Sequence, residues 1–148
     1  MPLMIQLPYE MRYACFFLLL IFCVSCGKVD ENDIPNVPVN FRAALNDPRL
    51  SRLNSPGGAV TIDGHGVAGL IIYRRADYSY VAFDRCSSVN PQQKCAVTLD
   101  EPSFTATDKC SGAIFSLDDG APLKAPAKRP LKRYDVNIIS SFEISVTN

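Results

Sequence analysis

The body of this chain is predicted to be all-β, a small antiparallel sandwich or barrel. Three observations carry that prediction. Apolar residues alternate with period two from Val39 onward. No apolar stripe at helical spacing lasts three turns. Turn-forming residues separate one apolar stretch from the next, as they do in sandwiches and barrels.

Val39, Phe41, Ala43 and Leu45 share one face of a first strand, because successive side chains on a strand point to opposite sides. Asn46, Asp47 and Pro48 end it, and residues 49–53 have room for one short helical turn. Ser55, Pro56, Gly57 and Gly58 form a strong turn signal. A strand over 59–62 follows, then a turn through Asp63, Gly64, His65 and Gly66. Strands over 70–73 and 80–83 flank a turn at Asp77. Further apolar stretches at 96–99, 104–106, 114–117, 131–136 and 142–146 complete the set. Residues 124–133 read as a loop rich in cations and proline. Lys124, Lys128, Arg129, Lys132 and Arg133 are interleaved there with Pro126 and Pro130, after Pro122. Such a loop is ordinarily a solvated connection, and in the sharper reading it docks a partner.

The 148 residues suffice for one domain once a targeting segment is set aside. With 47% hydrophobic and 20% charged residues the composition is that of a globular protein, not of a disordered chain. Fifteen basic residues balance fifteen acidic ones, so no global field draws nucleic acid. The absence of Trp argues against a sugar-binding face built on indole platforms. Cys15, Cys23 and Cys26 lie in or beside the N-terminal apolar run. Cys86, Cys95 and Cys110 lie in the body and permit at most one disulfide among themselves.

Arg12 precedes an apolar run over 14–24, eleven residues long. A bilayer-spanning helix needs about 20 residues, so the run reads as the core of a signal peptide. Met11 is a more natural start than Met1, since it places Arg12 directly behind the initiator. The run ends in Cys23, Val24, Ser25, Cys26 and Gly27, which resembles a bacterial lipobox. That resemblance implies acylation of the Cys26 thiol and cleavage just before it. The plainer alternative is an ordinary signal peptide cut nearby. Residues 1–25 are thus expected to be a signal peptide, 26–38 a lipidated tether and 39–148 the β-domain. The tether is acidic at Asp30, Glu31 and Asp33 and carries Pro35 and Pro38, a composition that favours extended chain. Acidic residues behind the lipidated Cys are similar to those of Bacteroidetes-type lipoproteins. The expected location is the cell envelope, on an outer membrane facing periplasm or surface, with several acyl chains giving firm anchoring.

The stretch Cys110, Ser111, Gly112, Ala113, Ile114, Phe115, then Gly120, then Leu123 to Ala127, then Pro130, Leu131, Tyr134 and Val136 resembles the second half of a Rieske domain. There the family reads Cys-Pro-Cys-His-Gly-Ser-x-Phe, a Gly turn, Gly-Pro-Ala, Pro-Leu and Tyr-x-Val. Upstream, Tyr80, Val81, Ala82, Phe83, Asp84, Arg85 and Cys86 resemble the strand leading into the family's first box, Cys-x-His-x-x-Cys. The resemblance covers roughly residues 59–146 and implies two cluster-box loops at one tip of the fold.

A Rieske 2Fe–2S site takes two thiolates on one iron and two imidazoles on the other. Carried onto this chain, Cys86 matches the first thiolate. Ser88 stands at the first His, Asp108 at the second ligand Cys and Ser111 at the second His. A serine hydroxyl stays protonated near neutrality, and a carboxylate is a hard donor where soft sulfur is wanted. In the family, the Cys ending the first box bonds the non-ligand Cys of the second. That pair falls on Cys95 and Cys110, leaving Cys86 a free thiol. Residues 89–94 make the first loop longer than the family's. An exported chain meets the oxidising surroundings such a bond requires.

The expected function is therefore a non-catalytic, lipid-anchored module without a cofactor. It would touch the membrane through its lipid, and a protein partner through the old cluster tip or the loop 124–133. Nucleic acid is not an expected partner. The alternative is electron transfer by a 2Fe–2S cluster with unusual ligation. Zinc at Cys86, Cys95, Cys110 and Asp108 lacks a CxxC pair or a second His. A Cys86–His65 nucleophile pair has no sequence signature, and His65 reads as a turn residue. No phosphate-binding Gly loop or Ser-centred elbow is present.

Overall fold

The structure, a computed structural model, describes residues 33–148. The expected signal peptide, the lipidation residue Cys26 and residues 26–32 of the expected tether lie outside the described residues.

Strand β1 (Asn40–Ala44) turns Phe41 and Ala43 inward, as the alternation demands. The Asp47 carboxylate accepts the Arg49 backbone N–H at 2.9 Å and caps a 3-10 helix, Pro48–Asn54, that buries Leu50 and Leu53. Strands β2 (Ala59–Ile62), β3 (Leu70–Arg74) and β4 (Tyr80–Asp84) form an antiparallel meander. A side chain at Gly58 would overlap the Arg52 carbonyl, so the helix can fold back on the turn before β2 only over glycine. A short 3-10 turn, Pro91–Gln93, precedes β5 (Thr98–Leu99), β6 (Thr105–Thr107), β7 (Ile114–Ser116) and β8 (Pro122–Lys124). Long β9 (Arg133–Ser140) and β10 (Glu143–Thr147) close the chain. A six-stranded sheet runs β1-β10-β9-β4-β3-β2, and a four-stranded sheet runs β5-β6-β7-β8.

Strands β3 and β4 belong to both cores. Leu70, Ile72 and Ala82 pack with Phe41, Leu50, Leu53 and Ile144 inside the larger sheet. Ile71, Val81 and Phe83 point the other way, onto Phe115 of the smaller sheet and Val97 and Leu117 beside its strands. Burial on both faces explains why these strands read as unbroken apolar runs instead of alternating. Each fully buried aliphatic or aromatic side chain contributes about 1.5–3 kcal/mol.

Several expected boundaries move. The stretch 96–99 pairs as a strand only over Thr98–Leu99, while Ala96 makes an isolated bridge with Cys86. The last long strand begins at Arg133, two residues later than expected, and runs on to Ser140. The loop 124–133 opens on the end of β8, a strand the sequence hides behind Pro122. Proline is tolerated there because β8 is an edge strand. Residues 34–38, the end of the expected tether, lie along the domain. Ile34 is buried, and the Lys132 ammonium donates to the Pro35 carbonyl and the Asn36 amide oxygen, each at 2.9 Å. The Asn148 amide donates to Asn36 at 2.8 Å and to the Val37 carbonyl at 2.9 Å. It also accepts from the Val39 N–H at 2.9 Å. Satisfying the backbone of an extended segment in this way is what seats it.

Candidate functional site

The end of β4 is fixed by one buried carboxylate. Asp84 accepts the backbone N–H of Val67 (2.7 Å), Ala68 (3.1 Å) and Cys86 (2.7 Å), and the Tyr134 hydroxyl (2.8 Å). It thereby ties the 64–69 turn, the start of the first loop and strand β9 to one point. Gly66 (φ +67°) allows the turn to wrap so closely, since a Cβ there would overlap the Asp84 carboxylate. Burial, with the neighbouring Asp84 carboxylate, pushes the Tyr134 phenol well above its ordinary range.

Beyond Asp84 the chain enters the first loop. Cys86 is fully buried and unbonded, its sulfur 3.8 Å from the Ser87 carbonyl and 3.7 Å from the Pro91 carbonyl. Burial first, then the Asp84 charge, push its thiol up to about 11 against an opposing pull from Lys94, with Asp108 adding the least. Ser88 donates its hydroxyl to the Arg129 carbonyl at 2.6 Å, clasping the basic loop to the first.

The second loop faces the first. Cys95 and Cys110 are joined by a disulfide across 15 residues. Asp108 is buried and accepts the Ser111 hydroxyl at 2.6 Å, the Cys110 N–H at 2.8 Å and the Ser87 hydroxyl. Burial works to raise its pKa. The hydroxyls of Ser111 and Ser87 and the N–H groups of Cys110 and Ser111 outweigh it, and the carboxyl sits below its usual range. Of the four residues at the resemblance's ligand positions, Cys86 and Ser88 lie on the first loop and Asp108 and Ser111 on the second, and the Ser87 hydroxyl and the Cys95–Cys110 disulfide join the two loops. Two of them, Asp108 and Ser111, bond each other, and Ser88 and Cys86 turn to backbone carbonyls. The sulfurs of Cys95 and Cys110 and a carboxylate oxygen of Asp108 lie within 4.8 Å of one another. Both sulfurs are spent in the disulfide, so neither is a thiolate able to hold a metal.

His65 packs on the first strand. Its ring meets the Phe41 ring edge-on at 5.2 Å, and its carbonyl closes the turn by accepting the Gly69 N–H. The sequence reading missed Asp84 and Tyr134 as a pair. The available signal was an acid at the inner end of an apolar strand, followed fifty positions later by a tyrosine in another apolar run.

No protein-family model and no curated protein matches the chain. Among solved structures, the cyanobacterial plasma membrane Rieske protein PetC3 from Synechocystis PCC 6803 is similar with a TM-score of 0.54. It is 20% identical, and the match covers 76% of this chain and 100% of that one. The ferredoxin of carbazole 1,9a-dioxygenase from Nocardioides aromaticivorans IC177 matches at 23% identity and a TM-score of 0.47, covering 75% of this chain and 97% of that one. The likeness to PetC3 shows that the fold is the Rieske fold.

Proposed function

We propose that this Rieske-fold chain is a lipid-anchored, non-catalytic module whose tip, built without a cluster, serves as a contact surface for a protein partner. One observation carries the reading: the carboxylate at the second ligand position is saturated by donors from its own loop and from Ser87. A 2Fe–2S group would need two thiolates and two imidazoles at this tip. The residues present do not fit it. Cys86 holds its proton beyond neutral pH, Ser88 and Ser111 offer hydroxyls already donated, and Asp108 offers hard oxygen.

The surface of the tip supports a partner role. Lys94 and Lys109 are exposed beside the two disulfide cysteines, and Arg129 is held next to the first loop through Ser88. Among the described residues none of these three has a carboxylate partner, whereas Arg49, Arg52, Arg75 and Arg85 each do. Unneutralised cations on a disulfide-stiffened tip favour an acidic protein surface.

The test is anaerobic reconstitution with iron and sulfide, followed by elemental analysis and a visible spectrum. The wild type stays colourless and iron-free, and the Ser88→His, Asp108→Cys, Ser111→His triple variant takes up iron. Stoichiometric iron in the wild type overturns the proposal in favour of an electron-transfer protein with unusual ligation.

A further inference from the structure

At the end of the domain away from the tip the two halves of the six-stranded sheet part company. Strand β9 pairs with β4 only through Tyr134 with Ala82 and Arg133 with Phe83. Continuing that antiparallel register, Val136 would meet Tyr80, the first residue of β4, so residues 137–140 overhang it. Among the described residues this overhang pairs with β10 alone, and its second edge carries peptide groups open to solvent. Beside it lies a groove of about 510 Å³, bounded by the β9–β10 turn, the turn after β3 and the end of the first 3-10 helix. Three of the six large hydrophobic side chains exposed among the described residues line it: Tyr78, Ile138 and Phe142. An apolar strand edge left bare is a pairing template, and a contiguous apolar patch of this kind marks a contact surface.

Among the described residues Arg74 is the one charged residue lining the groove. Its guanidinium lies 5.3 Å from the centroids of both the Tyr78 and Tyr80 rings. One terminal nitrogen donates to the Leu53 and Asn54 carbonyls at 2.9 Å, and the buried Nε has no acceptor. No carboxylate among the described residues pairs with it. A planar, aromatic-flanked guanidinium with donors to spare is suited to a carboxylate.

We infer that this groove binds an extended polypeptide segment of another protein, which adds as a strand to the free edge of β9 and places an acidic side chain on Arg74. Backbone pairing along an edge supplies affinity and the flanking pocket supplies selectivity, as in other strand-addition complexes. The occupant is a foreign segment rather than a second copy of this chain, because residues 137–140 hold no acid to meet the opposing Arg74. The site is separate from the tip. Arg74 pairs with Tyr80 at one end of the β3–β4 hairpin, and Asp84 leads into Cys86 at the other.

The test pans the full-length protein, in detergent, against a library of random linear peptides. Enriched peptides should carry an Asp or Glu between β-branched residues. Binding of the best one should weaken roughly tenfold or more in Ile138→Glu, whose exposed position leaves the fold intact, and in Arg74→Gln. It should be unchanged in Leu123→Ser, on the other sheet. Replacing a central peptide residue by proline should also abolish binding, since proline cannot complete the strand ladder. Three outcomes overturn the inference: enrichment no greater than on Ile138→Glu, enriched peptides without an acid, or a dimer of the wild type that Ile138→Glu dissolves.

Discussion

Cys86 gives the sharpest test of how the tip is built, because its thiol is held neutral by its surroundings. The shift is upward, from an ordinary value of 9.0 to about 11. The protonated form is therefore the one the fold favours. Its contribution is fully present below about pH 9 and is lost as pH rises toward the folded value. A separation of about two pH units corresponds to about 3 kcal/mol in all, of which ~1.3 kcal/mol disappears between about pH 8 and pH 10. Urea unfolding at a series of pH values reads this directly, with Cys86→Ala as the reference that has no thiol to titrate. The variant starts lower at pH 8, since it leaves a small void, but its stability should fall less steeply by that ~1.3 kcal/mol. A thiol-labelling reagent followed by peptide mapping gives an independent reading, with Cys86 labelled only on unfolding at pH 8. Parallel pH profiles for the two proteins, or rapid labelling of Cys86 in the native state, would refute the buried neutral thiol and reopen the tip to metal.

Three further expectations concern the anchor, the disulfide and the Asp84 network. Cys26→Ser should abolish acyl labelling and release the protein from membranes, and unchanged membrane association would sink the lipidation reading. Removing the 15-residue link with Cys95→Ala and Cys110→Ala should cost about 3 kcal/mol in denaturant unfolding while the circular dichroism of the sheets persists. Tyr134→Phe deletes one of four donors to a buried carboxylate and should cost about 1.5–3 kcal/mol. Because the phenol is held protonated, that variant should also lose less stability than the wild type above about pH 10, and a steeper alkaline loss would count against the pairing.

The strands were legible where burial left a rhythm. Phe41 and Ala43 alternate with exposed neighbours because β1 has one wet face, and residues 70–73 run unbroken because β3 has none. Strand β8 was illegible for a local reason, since Pro122 signals a loop everywhere except at a sheet edge. The tip was legible because its residue types recur at fixed separations: Cys86, Cys110 and Phe115 set the register, and the fold brings those loops face to face. Asp84 looked like a surface residue at a strand end. Its burial depends on N–H groups 16 and 17 positions upstream and a hydroxyl 50 positions downstream, which no window along the chain samples. The groove at Arg74 escaped for the same reason, its walls coming from several separate segments.

The clasp that holds residues 34–38 has a mechanical consequence. Strand β1 is an edge strand bonded only to β10, and the chain enters it at Asn40, opposite Thr147. A pull transmitted from the N-terminal side would load the five pairs one after another, opening β1 like a zipper rather than shearing it whole. Such peeling is the weak direction of a sheet. The bonds from Lys132 to Pro35 and Asn36, and from Asn148 to Asn36 and Val37, lie ahead of that zipper on the load path. They divert the force to the residues flanking β9 and β10, Lys132 and Asn148, before it reaches the first pair of β1. A load applied at residue 34 would thus be gripped beside β9 and β10, inside the larger sheet, instead of at its fraying edge.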